Sequence, residues 1–292
     1  MLCPKIKHIT RAAESLFPAA QIVIDWEKLR KGRDAMSGQN SAGKDFIRAT
    51  WYRNMPQQSD QEKMLPQPPY ELEPAPDARR VSLPSPRECR VPPTDLRAAI
   101  EERRSVRSYA DIPLEPEELS WLLWATQGVR SLWPERNVTL RTVPSAGCRH
   151  PFETYLALSR VAGIAPGIYR YLASAHELVE CSTDTRLIGR LVTACHRQTF
   201  LLSAAALFFW TAVTYRSEWR YKERAWRYFF LDAGHVCQNL YLAAAPVGCG
   251  VCGVGAFDDE EVARILGLPD SVDGTQSASI PVYAAAVGKL PL

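Results

Sequence analysis

The chain lacks any long apolar run. Its longest, residues 204–210 with a short extension to Val213, is far below the roughly 20 residues that cross a membrane. No membrane partner is therefore expected. A secretory signal is also missing: the first 25 residues carry Lys5, Lys7, Arg11 and Glu14 and no unbroken apolar stretch. Charge of one sign is scarce. The formal net charge of +3 gives no footing for a nucleic-acid partner. Eight cysteines lie scattered without the density or spacing of a disulfide framework, which points to a reducing, cytoplasmic setting. There is no internal repeat, and no G-x-S-x-G, H-E-x-x-H or phosphate-loop motif. The only C-x-x-C, Cys249-Gly250-Val251-Cys252, lacks the second pair or His pair of a structural zinc site, so no metal is expected and small-residue packing is the preferred reading. Nothing here marks the chain's own side chains for hard covalent chemistry, and a phosphate-bearing cofactor fits better.

What is present is ordinary globular material, 46% hydrophobic and 23% charged, enough for one large domain or two small ones. Residues 12–16 and 22–29 read as short helices, and residues 38–44 as a loop. Nine prolines between positions 66 and 93 remove backbone donors and favour extended geometry, so this stretch is a connector, either a linker or an arm over a surface. Folding resumes at Thr94, read as an N-cap, and a helix runs to Arg103 and Arg104. Pro116 opens a second helix, with Leu119, Leu122, Leu123 and Thr126 inside and Gly128 as its stop. Residues 141–153 read as a loop, 154–159 as a strand, and 167–171 with 177–181 as a hairpin-like pair. A helix over 184–196 capped by Asp184, a buried strand over 205–213 and a long helix over 224–245 follow. Gly234 interrupts that helix, and close packing is the expected reason. Residues 248–255 read as a glycine-rich turn, Asp258 and Glu261 as a capping pair, and residues 280–287 as a closing strand.

Two stretches carry candidate chemistry. Arg103-Arg104-Ser105-Val106-Arg107-Ser108-Tyr109 packs three arginines and two serines into seven residues. Forked guanidinium donors hold phosphate well, although basic residues also suit a helix end, and both readings stand on spacing alone. In the second stretch, Ser145, Ala146 and Gly147 admit a ligand close to the backbone, with Arg141, Arg149 and His150 around them. His150 reads as a capped loop histidine in preference to a catalytic base.

Taken together, the motifs resemble a known family. Arg103 to Tyr109 resembles the opening motif of the nitroreductase-like FMN oxidoreductases. Pro144-Ser145-Ala146-Gly147-Cys148-Arg149-His150-Pro151-Phe152-Glu153 is similar to the P-S-A-G-x-R-H-P-x-E motif of the SagB-type dehydrogenases, the branch that includes the thiazole- and oxazole-forming oxidases. Leu231-Asp232-Ala233-Gly234-His235 with Gln238-Asn239-Leu240 resembles that branch's central helix, and Gly253-Val254-Gly255-Ala256-Phe257-Asp258-Asp259 its late flavin loop. The stretch from Gly43 to Leu65-Pro66-Gln67-Pro68-Pro69 resembles the amino-terminal extension of stand-alone members.

The resemblance implies an α+β fold, a central, mostly antiparallel sheet flanked by helices, in a homodimer with FMN at its interface. It implies an extension over 1–93, with the proline-rich connector at 66–93, followed by an FMN-binding domain over 94–292. Arg103, Arg104, Ser105 and Arg107 would hold the FMN phosphate and ribityl chain, and Pro144, Ser145, Ala146 and Gly147 would line the ring system through the backbone. Gly253 and Gly255 would approach near N5, with Lys289 a further phosphate candidate. Where azoline oxidases carry a Lys-Tyr pair for proton removal, this chain has Arg220-Tyr221. Arginine cannot serve as a neutral base, while Tyr221 could relay a proton if Arg220 or Lys222 lowered its pKa. Packing and pairing at the site edge is the preferred reading of Arg220 and Tyr221. The substrate is a small molecule or a modified peptide, with NADH or NADPH as a candidate electron donor. A nitro or quinone reductase is the alternative within enzymes, and a flavin-binding or non-catalytic scaffold of a peptide-modification complex the alternative outside them.

Overall fold

The computed structural model describes residues 42–55, 57–269 and 278–291. The expected helices at 12–16 and 22–29 lie outside the described residues. Two units separate at Arg48/Ala49, and of the first only part of helix α1 (Ala42–Ala49) is described. Its first turn takes in Ala42–Lys44, where the sequence reads as a loop. The i,i+3 pair of Asp45 with Arg48 supports the helical turn.

The second unit is built on a seven-stranded sheet in the order β1-β6-β5-β4-β7-β9-β8, every adjacent pair antiparallel. The strands are β1 (Arg80–Ser82), β4 (Phe152–Leu158), β5 (Gly167–Leu172), β6 (Glu177–Ser182), β7 (Ala206–Val213), β8 (Cys249–Val254) and β9 (Ser279–Lys289). A separate ribbon pairs β2 (Val129–Trp133) with β3 (Val138–Arg141). The expected hairpin is β5–β6. β4 and β7 are buried on both faces because helices cover both sides. On one face, α3 (Pro116–Gln127) brings Leu119, Leu122 and Leu123, and α6 (Ala225–Ala244) brings Phe229, Val236 and Leu240. On the other, α4 (Arg186–Ala194) and α7 (Asp259–Leu266) bury Leu191, Val262 and Leu266. The fold is α+β, as expected.

Local corrections follow from individual hydrogen bonds. α2 (Leu96–Glu102) is capped by Asp95, whose carboxylate accepts from the Ala98 amide, so Thr94 is one residue too early. On α2 the buried residue is Ala99, while Leu96 and Ile100 stay exposed. α4 begins at Arg186 because the Asp184 carboxylate turns back onto the Arg186 amide and side chain. The glycine-rich stretch at 248–255 is strand β8 rather than a turn. A side chain at Gly250 would meet Val106, and one at Gly253 would meet the Tyr283 hydroxyl, so tertiary neighbours require both glycines. Gly234 is not explained by packing within the chain, since a Cβ there would meet nothing. Cys249 and Cys252, three apart on a strand, point to opposite faces, and burial pushes the Cys249 thiol up to about 12.

The proline-rich stretch is an arm belonging to the second unit, Ala49–Leu292. Proline cannot donate, so the arm offers carbonyls, and buried arginines take them up. Arg216 Nε donates to Pro69 O at 2.8 Å, Arg141 to Tyr70 O at 3.2 Å and Arg170 to Leu72 O at 2.8 Å. The Leu72 amide returns a bond to Glu153 Oε1 at 2.9 Å. Glu153 also accepts from Arg216 at 2.5 Å and Arg170 at 2.9 Å. Burial alone would raise the Glu153 pKa, but the two guanidinium groups overcome this and hold it below the usual carboxylate range.

Candidate functional site

The arginine-rich segment leaves α2 at Arg103 and lies along the outer edge of β8. Ser105 forms a parallel bridge with Val251, and the Val106 amide donates to Val251 O at 2.9 Å. Tyr109 anchors the far end, donating to Val106 O at 2.7 Å, and its ring lies against Gly288. Arg103, Arg104 and Arg107 remain exposed, and among the described residues none has a carboxylate partner. Arg103 stacks over Tyr241, its guanidinium 5.2 Å from the ring centre. A cleft of about 140 Å³ opens beside Arg103, Arg104, Tyr241 and Gly250.

Tyr241 joins this segment to the late glycine pair, a role the sequence reading missed. Its hydroxyl accepts from the Gly253 amide at 2.8 Å and shares a hydrogen bond with Ser105 Oγ at 3.0 Å. Gly253 is thereby occupied by the protein itself. Gly255 is exposed, and its amide has no hydrogen-bond partner among the described residues. Lys289 is also engaged, pairing with the Glu118 carboxylate and donating to Val247 O at 2.9 Å.

The Pro144–Gly147 loop is fixed from α6 by Asp232, the second residue missed. Ser145 Oγ donates to Asp232 Oδ2 at 2.6 Å and accepts from the His150 amide at 3.0 Å, and the Ala146 amide also bonds Asp232. Ser145 therefore spends its hydroxyl on the loop itself, which leaves the backbone as the exposed feature. Burial raises the Asp232 pKa, and the Ser145 and Ala146 bonds only partly offset this. Gly147 adopts φ +57°, and a Cβ there would lie 2.4 Å from the Tyr221 hydroxyl and 3.2 Å from Arg220 Nε. Burial, then Arg141 and Arg149, push the His150 pKa down to about 3, which suits a loop histidine and not a base at neutral pH.

Arg220 and Tyr221 end α5 (Tyr215–Tyr221) and lean against Gly147. The condition for a proton relay, a Tyr221 pKa lowered by a neighbouring cation, is not met: burial raises it, outweighing Arg220. Lys222 turns away, donating to Met55 O at 3.0 Å and to Gln57 O.

Asp232 and Tyr241 are nine residues apart on α6, about 13.5 Å along its axis and half a turn out of phase. The Pro144–Gly147 loop and the arginine segment are therefore fastened to opposite flanks of α6. Between these flanks runs an exposed stripe of Leu231, Gly234, His235 and Gln238.

The chain is similar to known proteins. The chain is 37% identical over 175 residues to "Putative nitroreductase MJ1384" of Methanocaldococcus jannaschii, covering 60% of this chain and 85% of that one. It is 30% identical over 145 residues to the trifolitoxin-processing protein TfxB of Rhizobium leguminosarum bv. trifolii, covering 48% of this chain but only 39% of TfxB. A crystal structure from Anabaena variabilis, also described as a nitroreductase, superposes with a TM-score of 0.59 at 28% identity, covering 74% of this chain and 42% of that one. Residues 100–289 match the model of the Nitroreductase family, to which this chain belongs.

Proposed function

We propose that the protein is an FMN-dependent oxidoreductase of the SagB-type dehydrogenase branch that works as a homodimer. The observation that carries this reading is the set of three exposed, acid-free guanidinium groups of Arg103, Arg104 and Arg107, held on one edge by Tyr241 and β8. That donor set fits a phosphate. Arg103, Arg104, Ser105 and Arg107 would hold the phosphate end of FMN, and Pro144, Ser145, Ala146 and Gly147 would present backbone to the ring system. Of the late glycines, Gly255 keeps a free amide for the flavin edge, while Gly253 serves to bring Tyr241 and Tyr283 close. The tie from Lys289 to Glu118 argues for a structural part there.

When bound, FMN supplies hydride exchange at N5. The protein binds, orients and manages protons around it. Burial keeps Tyr221 a neutral phenol that can donate a hydrogen bond, and Arg220 holds positive charge beside it. The placement of the two loops on opposite flanks of α6 supports a site completed by two copies, one loop from each. On this reading the FMN-binding domain spans 94–292 and residues 1–93 are its amino-terminal extension. The likeness to a trifolitoxin-processing protein supports the SagB-type reading, with a modified peptide or small molecule as substrate.

The purified protein should be yellow or take up FMN with a shifted flavin spectrum. A colourless protein that gains no such spectrum refutes the reading. Anaerobic NADH or NADPH then separates the alternatives: bleaching identifies a nicotinamide-driven nitro or quinone reductase, and persistence of colour a substrate-oxidising dehydrogenase. Arg103→Gln with Arg107→Gln should release FMN.

A further inference from the structure

Around Gly147 three sets of donors face no acceptor. Arg149 is only 3% exposed, and its Nε donates to Arg216 O at 2.7 Å. Its two terminal nitrogens have no hydrogen-bond or ion-pair partner among the described residues, yet they are not sealed from the surface. The guanidinium of Arg220 stacks over Tyr221 at 5.5 Å and has no carboxylate partner there either. The Tyr221 hydroxyl, pressed against Gly147, donates to nothing among the described residues. Asp232 is the nearby acid, and Ser145 and Ala146 already occupy it. Arg149 also feels Arg220 and Arg216 as repulsive neighbours, which together with burial bring its pKa down to about 10. The buried Arg149 guanidinium is costly unless an anion completes it, and the exposed Arg220 beside it adds positive charge at the mouth.

We propose that Arg149, Arg220 and the Tyr221 hydroxyl form a subsite for a carboxylate carried by the substrate. A planar two-oxygen group matches the guanidinium fork, and the phenol supplies one further donor. Aromatic surface surrounds these donors: Trp219 packs against Arg149 at 5.1 Å, and Tyr228 meets Tyr221 edge-on at 4.9 Å. That surface suits a flat, apolar body behind the carboxylate. The proposal rests on the flavin reading only for its location, beside the loop assigned to the flavin ring. It recasts Arg220 and the Tyr221 hydroxyl as binding groups for the carboxylate.

The test titrates the full-length protein, with its flavin content recorded, with sodium benzoate at constant ionic strength, following Trp fluorescence and the flavin spectrum. Benzoate should saturate, and the neutral isostere benzamide should not. Arg220→Gln should weaken benzoate about tenfold, the factor that one charge-assisted contact commonly represents. Tyr221→Phe should weaken it less, and Arg97→Gln, which removes the same charge at a remote surface, should leave it unchanged. Absence of saturation, equal binding of benzamide, or equal losses in the Arg97 and Arg220 variants overturns the subsite. Tighter saturation by inorganic phosphate than by benzoate overturns the carboxylate assignment. A protein that takes up no added FMN yet still binds benzoate refutes the cofactor reading and leaves the subsite standing.

Discussion

Replacing Glu153 with glutamine tests whether the arm is welded to the sheet by a buried charge cluster. Glu153 has 2% side-chain exposure, against 1% for Arg216 and 7% for Arg170, so this is the buried regime and not the surface one. An exposed pair contributes about 0–1 kcal/mol, whereas removing one partner of a buried pair costs about 3–5 kcal/mol, because the remaining charge stays desolvated. Here one carboxylate serves two guanidinium groups, and its loss also weakens the bond from the Leu72 amide. Urea unfolding at pH 7 should show Glu153→Gln less stable by about 3–5 kcal/mol. Limited proteolysis should cut residues 66–79 sooner than in the wild type. The pH dependence has a definite sign. The folded pKa of Glu153 lies below its unfolded value, so its contribution is present above about pH 4.3 and is lost as pH falls through the folded pKa. The gap between wild type and variant should therefore narrow in acid. A loss under 1 kcal/mol at pH 7, or a gap that widens as pH falls, would refute the reasoning.

Three further outcomes follow from the site geometry. Gly147→Ala forces a Cβ onto the Tyr221 hydroxyl at a positive φ; thermal unfolding should show a loss of about 1–3 kcal/mol, with Tyr221→Phe in the same chain recovering part of it. Tyr241→Phe strips the acceptor from the Gly253 amide, so a loss of about 1–3 kcal/mol and weaker FMN retention are expected; unchanged flavin affinity by equilibrium dialysis would separate Tyr241 from the phosphate end. Native Cys249 and Cys252 should resist a thiol reagent at pH 8 and form no mutual disulfide, since burial disfavours both thiolates and the side chains point apart; rapid stoichiometric labelling would contradict this.

What the chain reveals before folding is mostly local. α3 was legible to the residue, because Pro116, Gly128 and the leucine spacing each act within one or two turns. The β5–β6 pair and the stripe of α6 were legible for the same reason. The arm's destination was not, since Pro69 and Leu72 meet Arg216 and Arg170 across long stretches of chain. β8 was misread because its glycines answer to Val106 and Tyr283, which no local pattern brings near. Asp232 and Tyr241 were visible as polar flanks of a helix, but the loops they hold come from residues 145–146, 105 and 253.

The spacing on α6 has a practical consequence for anyone altering this protein. Asp232 and Tyr241 act like two marks on a ruler, each reading out the position of a different loop. Deleting a single residue between them shortens the ruler by about 1.5 Å and rotates one mark about 100° against the other. A lone deletion there should thus misplace one loop against the other and turn part of the buried face of α6 out of the core. The length of one helix sets the calibration between the two ends of the site.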